Sequence, residues 1–594
     1  MTDLTSMAGT SDAAHLLGAA ELGGSPWDER ELYARQSPMS RVEDVRTPTL
    51  ILHGGEDQRC PVGQAEQWFN ALRVRGVPAE LVLYPGGSHM FPLDGPPSHR
   101  VDFNRRVVDW VERYAGEPGR PRRAPFDAAH WQRRLAELAT AHRVPGAALG
   151  ILRLGPAEGA ADGSYHDPCG DEVLQAHHGV LSTATGVAVT DDSVFQIGSI
   201  TKVWTATVVM QLVDEGRLDL DAPLVDVLPE LRLADPGVAQ RVTMRHLLTH
   251  TSGIDGDVFT DTGRGDDCLE RYTELLEEAA QNHPLGRTFS YCNSGFSLAG
   301  RVIEKLTGLT WDDALRERLF APLGLTGATT LPEEALLRRA AVGHVAEGDG
   351  DPAPTTTWGL PRSAGPAGLI TAATADVLAF ARLHLTGGLG PDGERVLSAD
   401  SAAAMAAHQA DLPDRDTLGD SWGLGWIRFG WDGQRLYGHD GNTIGQSAFL
   451  RVLPGQGLAV TLLTNGGNAR DLYQELFQEI FADVAGVTVP APLAPADHPP
   501  AVDAARYTGV YERAGARADI CCADGKLTIR HTVTGPLAAY ETSPAREAAL
   551  IPVDDGKFVF QMPGTRTWVP VTFYTLETGE QYVHYGARAT PKVG

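Results

Sequence analysis

The segment 195–202 (FQIGSITK) places Ser199 three residues before Lys202. The residues after it, VWTATVVMQLVDEGRL, carry apolar side chains at helical spacing and predict an amphipathic helix. Ser199 would lie at the N-terminus of this helix, with Lys202 one turn later on the same side. The helix dipole favours a developing oxyanion, and a neighbouring amine eases loss of the serine proton. The spacing therefore predicts a nucleophilic serine, with an N-cap serine and a solvated lysine as the alternative.

A second segment supplies groups that could move the serine proton. The sequence RTFSYCNSG (287–295) carries Tyr291 and Asn293 two residues apart, in a stretch predicted to be extended or a turn between helices. A tyrosine beside a lysine can act as a base toward the serine. The Asn293 amide could bridge the lysine and the substrate. The alternative for Tyr291 is a core aromatic with a tethered hydroxyl.

The third segment is LYGHDGNTIG (436–445), followed by the strand-like runs SAFLRVLP and GLAVTLLTN. A glycine at Gly441 would let a substrate backbone approach a sheet edge. The Asn442 backbone amide could then be a second oxyanion donor beside that of Ser199.

The three segments, in this order, resemble the class C β-lactamase and penicillin-binding-protein-like serine hydrolases over about residues 126–484. Further signatures of the resemblance are MRHLLTHTSGI, SGFSLAGRVIEKLTG, LFAPLGLTGATT and PAGLITAATADVLAFARLHL. The resemblance implies a β-lactamase/transpeptidase-like α+β domain that requires no metal or organic cofactor. It implies Ser199 as nucleophile, Lys202 and Tyr291 as the proton-transfer pair, and Asn293 and His439 as substrate-orienting residues.

The third segment departs from the β-lactamases and carboxypeptidases of this group, which have a lysine where this chain has His439. A mostly neutral imidazole is a poorer partner for a substrate carboxylate than an ammonium. The H-x-G form is similar to that of esterases and D-amino-acid amidases in the superfamily. We therefore expect a small-molecule ester, amide or short peptide as substrate, and not a role in antibiotic resistance or cell-wall trimming. A binding or sensor protein that acylates and stalls, and a pure scaffold, are the alternatives.

Two breaks divide the 594 residues into blocks that must position these groups. Residues 116–125 are rich in Pro, Gly and Arg, and residues 487–501 are rich in Pro and Ala. They predict domains at 1–115, 126–486 and 502–594. The chain is thus predicted to be a multidomain α/β and α+β protein.

The first block predicts a β-α-β-α order with strands near 49–53 and 81–84 and helices over 62–76 and 99–114. Asp57 and His89 each follow one of these strands, in HGGEDQRCP and YPGGSHMF. Residues 1–115 resemble the C-terminal part of a prolyl-oligopeptidase-type α/β-hydrolase. The resemblance implies Asp57 and His89 as acid and base of a triad.

The serine of that triad should precede Asp57 in a G-x-S-x-G turn, but residues 1–56 contain none. The G-x-S-x-G at 419–423 follows His89 and lacks the strand–turn–helix context. An Asp–His pair without a nucleophile cannot form an acyl-enzyme, so the dyad is interpreted as vestigial. A peptidase completed by a serine from another chain is the rival interpretation.

The last block, 502–594, has short β-rich runs separated by Asp-Gly turns such as Asp524-Gly525, which predict a small antiparallel β domain, either a sandwich or a barrel. This accessory domain could narrow the cleft or mediate self-association into a homo-oligomer.

Composition excludes several partners. The 50 Lys and Arg against 76 Asp and Glu give a net charge of −26, which disfavours nucleic acid and anionic lipid. No apolar run is long enough for a transmembrane helix, and the N-terminus does not resemble a signal peptide. The six cysteines lack metal-type spacing, so a reduced, cytoplasmic protein is expected. His246 and His250 lie four residues apart, but capping or packing is expected there and not a metal site.

Overall fold

A computed structural model describes residues 2–13, 20–114, 125–155, 170–346, 350–534, 538, 545–561 and 565–594. The chain forms two compact units, Met1–Ala124 and Pro125–Gly594. The predicted linker 116–125 lies outside the described residues except for Pro125. The predicted linker 487–501 contains neither helix nor strand. Among the helices described, none is both long and apolar enough to cross a bilayer.

The first unit contains the predicted β-α-β-α order. Its described elements are α1 Leu4–Thr10, α2 Arg30–Gln36, β1 Thr49–Gly54, α3 Val62–Val74, β2 Ala79–Tyr84, α4 Phe91–Asp94 and α5 Pro97–Tyr114. Strands β1 and β2 pair in parallel from Thr49↔Ala79 to Gly54↔Tyr84. The apolar runs thus form a parallel pair, as their pattern predicts.

The second unit is built on an eight-stranded antiparallel sheet in the order β10-β11-β12-β13-β14-β15-β3-β4. These strands are β3 Gly146–Arg153, β4 Glu172–Gly179, β10 Ala410–Asp411, β11 Ser421–Trp422, β12 Ile427–Trp431, β13 Gln434–Thr443, β14 Gln446–Leu453 and β15 Leu458–Thr464. Three shorter strands, β5 Ser193–Gln196, β6 Arg339–Ala340 and β9 Thr371–Ala372, form a second sheet, and β7 His344–Val345 pairs with β8 Ala353–Pro354.

Helices cover both faces of the large sheet. The helices of this unit are α6 Ala128–Ala141, α7 Thr201–Asp214, α8 Pro236–Ala239, α9 Met244–Leu248, α10 Cys268–Leu275, α11 Asn293–Thr307, α12 Trp311–Leu315, α13 Ala321–Leu323, α14 Pro332–Ala335, α15 Gly365–Gly368, α16 Thr374–Leu385, α17 Ala399–Ala406 and α18 Ala469–Ile480. Alternate residues of β3 join two cores: Leu149 packs in the cluster with α6 and α18, and Leu152 packs in the cluster that contains α7 and α11. The period of two places both faces of this strand against apolar layers.

The C-terminal β domain is a closed eight-stranded meander. It comprises β16 Gly509–Arg513, β17 Ala516–Ala523, β18 Lys526–Val533, β19 Ala545–Asp554, β20 Lys557–Gln561, β21 Trp568–Thr575, β22 Gln581–Tyr585 and β23 Arg588–Pro591. Each strand pairs with the next, and the Tyr511↔Lys592 bridge joins the first strand to the last. Closure removes the open edges, so the barrel alternative is confirmed and the sandwich is not.

Two local predictions were wrong. Helix α7 is not amphipathic, because every residue from Thr201 to Leu212 is buried. It runs through the middle of the core, where no face meets solvent. Asn293 is not in a turn but is the first residue of α11, and the Cys292 sulfur is the N-cap, because it accepts the Gly295 amide proton at 3.2 Å.

Candidate active site

Ser199 and Lys202 form the centre of the candidate site. Ser199 lies in a 3₁₀ turn, Gly198–Ile200, that leads directly into α7. Lys202 is fully buried. Its Nζ lies 3.0 Å from Ser199 Oγ and donates to Asn293 Oδ1 at 2.7 Å and to the Ala367 carbonyl at 2.6 Å. Burial lowers the pKa of the Lys202 ammonium well below its usual value, and the nearby Arg588 cation lowers it further. The short contact and the lowered pKa are the properties that a proton acceptor for the serine would need.

Tyr291 lies beside Lys202, with its ring centre 4.8 Å from Lys202 Nζ. Burial raises the pKa of the Tyr291 phenol above its usual value, while the nearby Ser199 side chain and the Arg588 cation oppose that rise. The residue is 7% exposed, so its hydroxyl works in a largely dry site. The structure thus brings Ser199, Lys202, Tyr291 and Asn293 together.

His439 of the third segment lies near Tyr291. It is 1% exposed, and its ring centre is 6.3 Å from that of Tyr291. Its Nδ1 contacts the Asp440 carbonyl oxygen at 2.6 Å, while Nε2 is buried without a partner among the described residues. Burial, with the charge of Lys202, lowers the pKa of His439 to about 3. The imidazole is therefore neutral near pH 7, with Nδ1 carrying the proton, because a carbonyl can only accept.

Gly441 and Asn442 lie where β13 passes the Ser199 turn. Strand β12 pairs with β13 only as far as Gly438, so the rest of β13 has a locally open edge. A Cβ on Gly441 would lie 1.9 Å from the Ile197 carbonyl oxygen and 3.0 Å from the Ser199 amide nitrogen. A Cβ on Gly198 would lie 2.6 Å from the Asn442 amide nitrogen. Gly441 is thus required because β13 packs closely against the Ser199 turn. From the sequence alone, the approach of a substrate to the sheet edge is the only reason for a glycine there.

Three contributors to this site have no signal in the three sequence segments. The Ala367 carbonyl binds Lys202, the His250 ring stacks on Tyr291 at 4.3 Å, and the Arg588 guanidinium lies 5.2 Å from the centre of the Tyr291 ring. They come from elements far from Ser199 in sequence, so spacing could not reveal them. His250 also accepts the Cys292 amide proton at 2.9 Å, and within the described ranges no cluster of three or more His, Cys, Asp or Glu is placed to hold a metal ion.

The comparison with known proteins settles the family of the second unit. Residues 131–482, more than half of the chain, match the model of the Beta-lactamase family. The chain belongs to the β-lactamase family. A penicillin-binding protein 4 from Amycolatopsis lactamdurans is 50% identical over 393 residues, which cover 66% of this chain and 99% of that protein. This family of serine hydrolases includes esterase and penicillin-binding relatives.

Two further proteins are similar to this chain, one by sequence and one by structure. Esterase EstB from Burkholderia gladioli is 28% identical over 50% of this chain and 83% of its own length. A crystal structure of SurE with D-Leu matches with a TM-score of 0.60 and 28% identity, covering 78% of this chain and 99% of that chain. The matched 78% of this β-lactamase-family chain is more than residues 131–482 alone, so the similarity to a solved structure extends beyond the catalytic domain.

Residues 1–118 match the model of the Prolyl oligopeptidase family. Within the first unit, His89 Nδ1 lies 2.8 Å from Asp57 Oδ2. Asp57 Oδ1 accepts the amide protons of Arg59 and Cys60 at 2.9 and 2.8 Å, which fixes the carboxylate. The predicted dyad is thus assembled. The other G-x-S-x-G serine, Ser421, lies in β11 and is 5% exposed, so it does not occupy a strand–helix turn.

Proposed function

We propose that this protein hydrolyses esters or amides through an acyl-enzyme on Ser199. The observation that carries the proposal is the 3.0 Å contact between Ser199 Oγ and the Nζ atom of a fully buried lysine. Burial lowers the pKa of Lys202, so the neutral amine that can accept the serine proton is favoured.

The geometry supports a two-step reaction. Ser199 Oγ forms a bond to the substrate carbonyl carbon while its proton passes to the Lys202–Tyr291 pair. The oxyanion is stabilised by the amides of Ser199 and Asn442, which lie at the contact between the serine turn and β13. The bond to the leaving group then breaks, and the leaving group takes the proton through Tyr291. A water molecule attacks the acyl-enzyme by the same route and releases the acid.

The neutral His439 supports substrates whose acyl group carries no carboxylate. His439 is neutral because burial lowers its pKa to about 3, so it supplies no cation for a substrate carboxylate. EstB is by name an esterase, and the SurE crystal structure contains D-Leu. We propose aryl esters and D-aminoacyl esters or amides as the substrate classes to examine first. Asn293 would orient the acyl side, since its Oδ1 is fixed by Lys202.

A second candidate is a protein that acylates and turns over slowly. The observation that favours it is the name of the 50% identical relative, a penicillin-binding protein. In that case a β-lactam would form a long-lived adduct on Ser199.

The experiment compares wild-type protein with Ser199→Ala on a panel of p-nitrophenyl esters, D- and L-aminoacyl p-nitroanilides, and benzylpenicillin. Ser421→Ala is the matched control, because Ser421 is the serine of the unrelated G-x-S-x-G. We expect turnover of esters or D-anilides that Ser199→Ala abolishes and Ser421→Ala retains. A stable benzylpenicillin adduct without ester turnover would favour the second candidate, and turnover that survives Ser199→Ala would contradict both.

A further inference from the structure

The β22–β23 hairpin of the barrel reaches the candidate active site. Its two-residue turn, Gly586–Ala587, joins Tyr585 to Arg588. The Ala587 carbonyl accepts the amide proton of Tyr291 at 2.9 Å, and the Ala589 amide donates to Ser290 Oγ at 3.2 Å. The barrel main chain is therefore bonded to the very segment that carries Tyr291.

The Tyr291 segment is also held by His250. The His250 carbonyl accepts the Ser290 amide proton at 2.9 Å, and its Nδ1 accepts that of Cys292 at 2.9 Å. The two rings stack with their centres 4.3 Å apart. Tyr291 thus lies between a segment of the catalytic domain and the barrel hairpin, and the position of its phenol depends on both.

Arg588 adds a charge at this contact. Its Nη2 and Nε donate to the two Asp257 carboxylate oxygens at 2.7 and 3.2 Å, and its Cζ lies 5.2 Å from the Tyr291 ring centre. The second partner of Asp257 is Arg513 of β16, at 3.1 Å. The Arg588 and Asp257 side chains are 21% and 11% exposed. Charges with so little solvent around them act strongly on their neighbours.

The turn that presents Arg588 is conformationally unfavourable. Ala587 has a φ of 62° and is 5% exposed. A residue with a Cβ rarely adopts this left-handed conformation, and it persists where the surroundings impose it. Gly586 has a φ of 57° as well, so the pair forms the tight two-residue turn that a β-hairpin favours, and its strained residue Ala587 is the one that binds the Tyr291 amide.

The other titratable groups that face Lys202 and Tyr291 are His250, Cys292, His439 and Asp440. Burial lowers the pKa of His250 well below its usual value and that of His439 to about 3, and it raises the pKa of Cys292 to about 11. His439 is therefore neutral above about pH 5 and Cys292 below about pH 10, and the lowered pKa of His250 favours its neutral form. Asp440 is ionised but balanced by Arg451 and Arg470 at 2.6 and 2.7 Å. The Arg588–Asp257 pair therefore offers two separate tests. A substitution of Arg588 removes a positive charge near Tyr291, and a substitution of Asp257 removes a negative one.

We propose that Arg588 is a positioning residue of the active site, which acts through Tyr291 and Lys202 and makes the barrel part of the reaction centre. The proposal rests on the Ser199 hydrolase proposed above. Loss of the guanidinium removes the positive charge that lies 5.2 Å from the centre of the Tyr291 ring and leaves Asp257 with Arg513 alone. Both changes favour the protonated lysine, which cannot accept the serine proton. Loss of the Asp257 charge has the opposite effect.

The test is the rate of Ser199 labelling by a fluorophosphonate probe between pH 5 and 10, in the full-length chain. The variants are Arg588→Gln, Arg588→Lys and Asp257→Asn. The matched control is Arg566→Gln, since Arg566 also joins the barrel to the catalytic domain, through Glu475 at 2.9 Å, but contacts none of the site residues described above. Thermal melting checks the folding of each variant.

We expect the acid limb of the labelling rate to move to higher pH by about 1 unit in Arg588→Gln and to lower pH in Asp257→Asn. Arg588→Lys should stay close to wild type, and Arg566→Gln should not move the limb. Variants that label more slowly with an unmoved limb, or that move it in the same direction, would overturn the proposal. If Arg588→Gln does not fold, the labelling rate of Asp257→Asn decides. Movement of its acid limb to lower pH supports the proposal, and any other result overturns it. Labelling that persists in Ser199→Ala would instead refute the proposed function.

Discussion

At the scale of single residues, the proton-transfer pair is the part of the mechanism most open to mutation. Tyr291→Phe removes the hydroxyl whose pKa Ser199 influences and leaves the ring, which keeps its stacking on His250. We expect kcat/KM for an aryl ester to fall by about 10²- to 10⁴-fold, the range for a lost general acid–base group. Melting temperature should change little. Steady-state kinetics with a melting curve check this, and activity within threefold of wild type would remove Tyr291 from the mechanism.

His439 should act by shape and hydrogen bonding and not by charge. Its pKa of about 3 keeps it neutral throughout the working range. We therefore expect His439→Asn to lower kcat/KM without moving the acid limb of the pH–rate profile between pH 5 and 9. If the limb moves with this substitution, His439 titrates in the working range and the interpretation is wrong.

The chemistry of the site could be predicted from sequence wherever it depends on spacing within one element. Ser199 and Lys202 are one helical turn apart, so their contact follows from the helix alone. The contacts of Arg588 and Ala367 could not be predicted, because a single sequence carries no information on which distant loops meet. The roles assigned to Asn442 and to Asn293 as an orienting group are still predictions.

At the scale of elements, the close contact of β13 with the Ser199 turn is the geometry on which the oxyanion site depends. Gly441→Ala places a Cβ 1.9 Å from the Ile197 carbonyl oxygen, so the strand or the turn must move. A displacement of about 1 Å at a reacting centre lowers activity by about 10²-fold. Gly455→Ala is the matched control, because a Cβ there meets only Gln434 Oε1 at 3.8 Å. Equal activity of the two variants would contradict the assignment.

Asp440 joins three elements beneath the site. Its carboxylate binds Arg451 of β14 at 2.6 Å and Arg470 of α18 at 2.7 Å. Asp440→Asn leaves Arg451, which is 1% exposed, without its counter-charge. We expect a loss of about 3 kcal/mol in the free energy of unfolding. Arg470→Gln should cost less than about 1 kcal/mol, because Arg470 is partly exposed. Urea unfolding distinguishes the two, and equal costs would contradict this ranking.

The same carboxylate predicts an acid dependence of stability. Although burial alone would raise it, the two arginines lower the pKa of Asp440 to about 2. A lowered folded-state pKa stabilises the protein above the unfolded value and is lost as pH falls, here from about 4 to 2. The stability difference between wild type and Asp440→Asn should therefore shrink over that interval. Thermal melts at each pH measure it, and a constant difference would contradict the assignment.

Element type was predictable where periodicity is strong and burial is one-sided. The parallel β1–β2 pair and the β20 strand at Lys557–Gln561 follow their patterns. Helix α7 was also predicted as a helix, but its amphipathic character was wrong, because Thr201 to Leu212 are all buried. Strands β22 and β23 carry few β-branched residues, and barrel closure through Tyr511↔Lys592 depends on pairing across the whole domain.

At the scale of the whole molecule, the two units differ in which catalytic groups they contain. The first unit holds an assembled Asp57–His89 pair, whereas the second holds the serine, the lysine and the oxyanion contact. We expect the double variant Asp57→Asn/His89→Ala to retain ester turnover within about twofold, because neither group takes part in the Ser199 reaction. Turnover that depends on the dyad and survives Ser199→Ala would favour the peptidase interpretation instead.

The most direct test of the Ser199 acyl-enzyme is identification of the labelled residue. Wild-type protein is treated with a fluorophosphonate, digested, and analysed by mass spectrometry, with Ser199→Ala in parallel. The mechanism predicts a single modified peptide carrying the adduct on Ser199, no labelling in Ser199→Ala, and loss of ester turnover in proportion to labelling. An adduct on another serine, or undiminished labelling of Ser199→Ala, would contradict it.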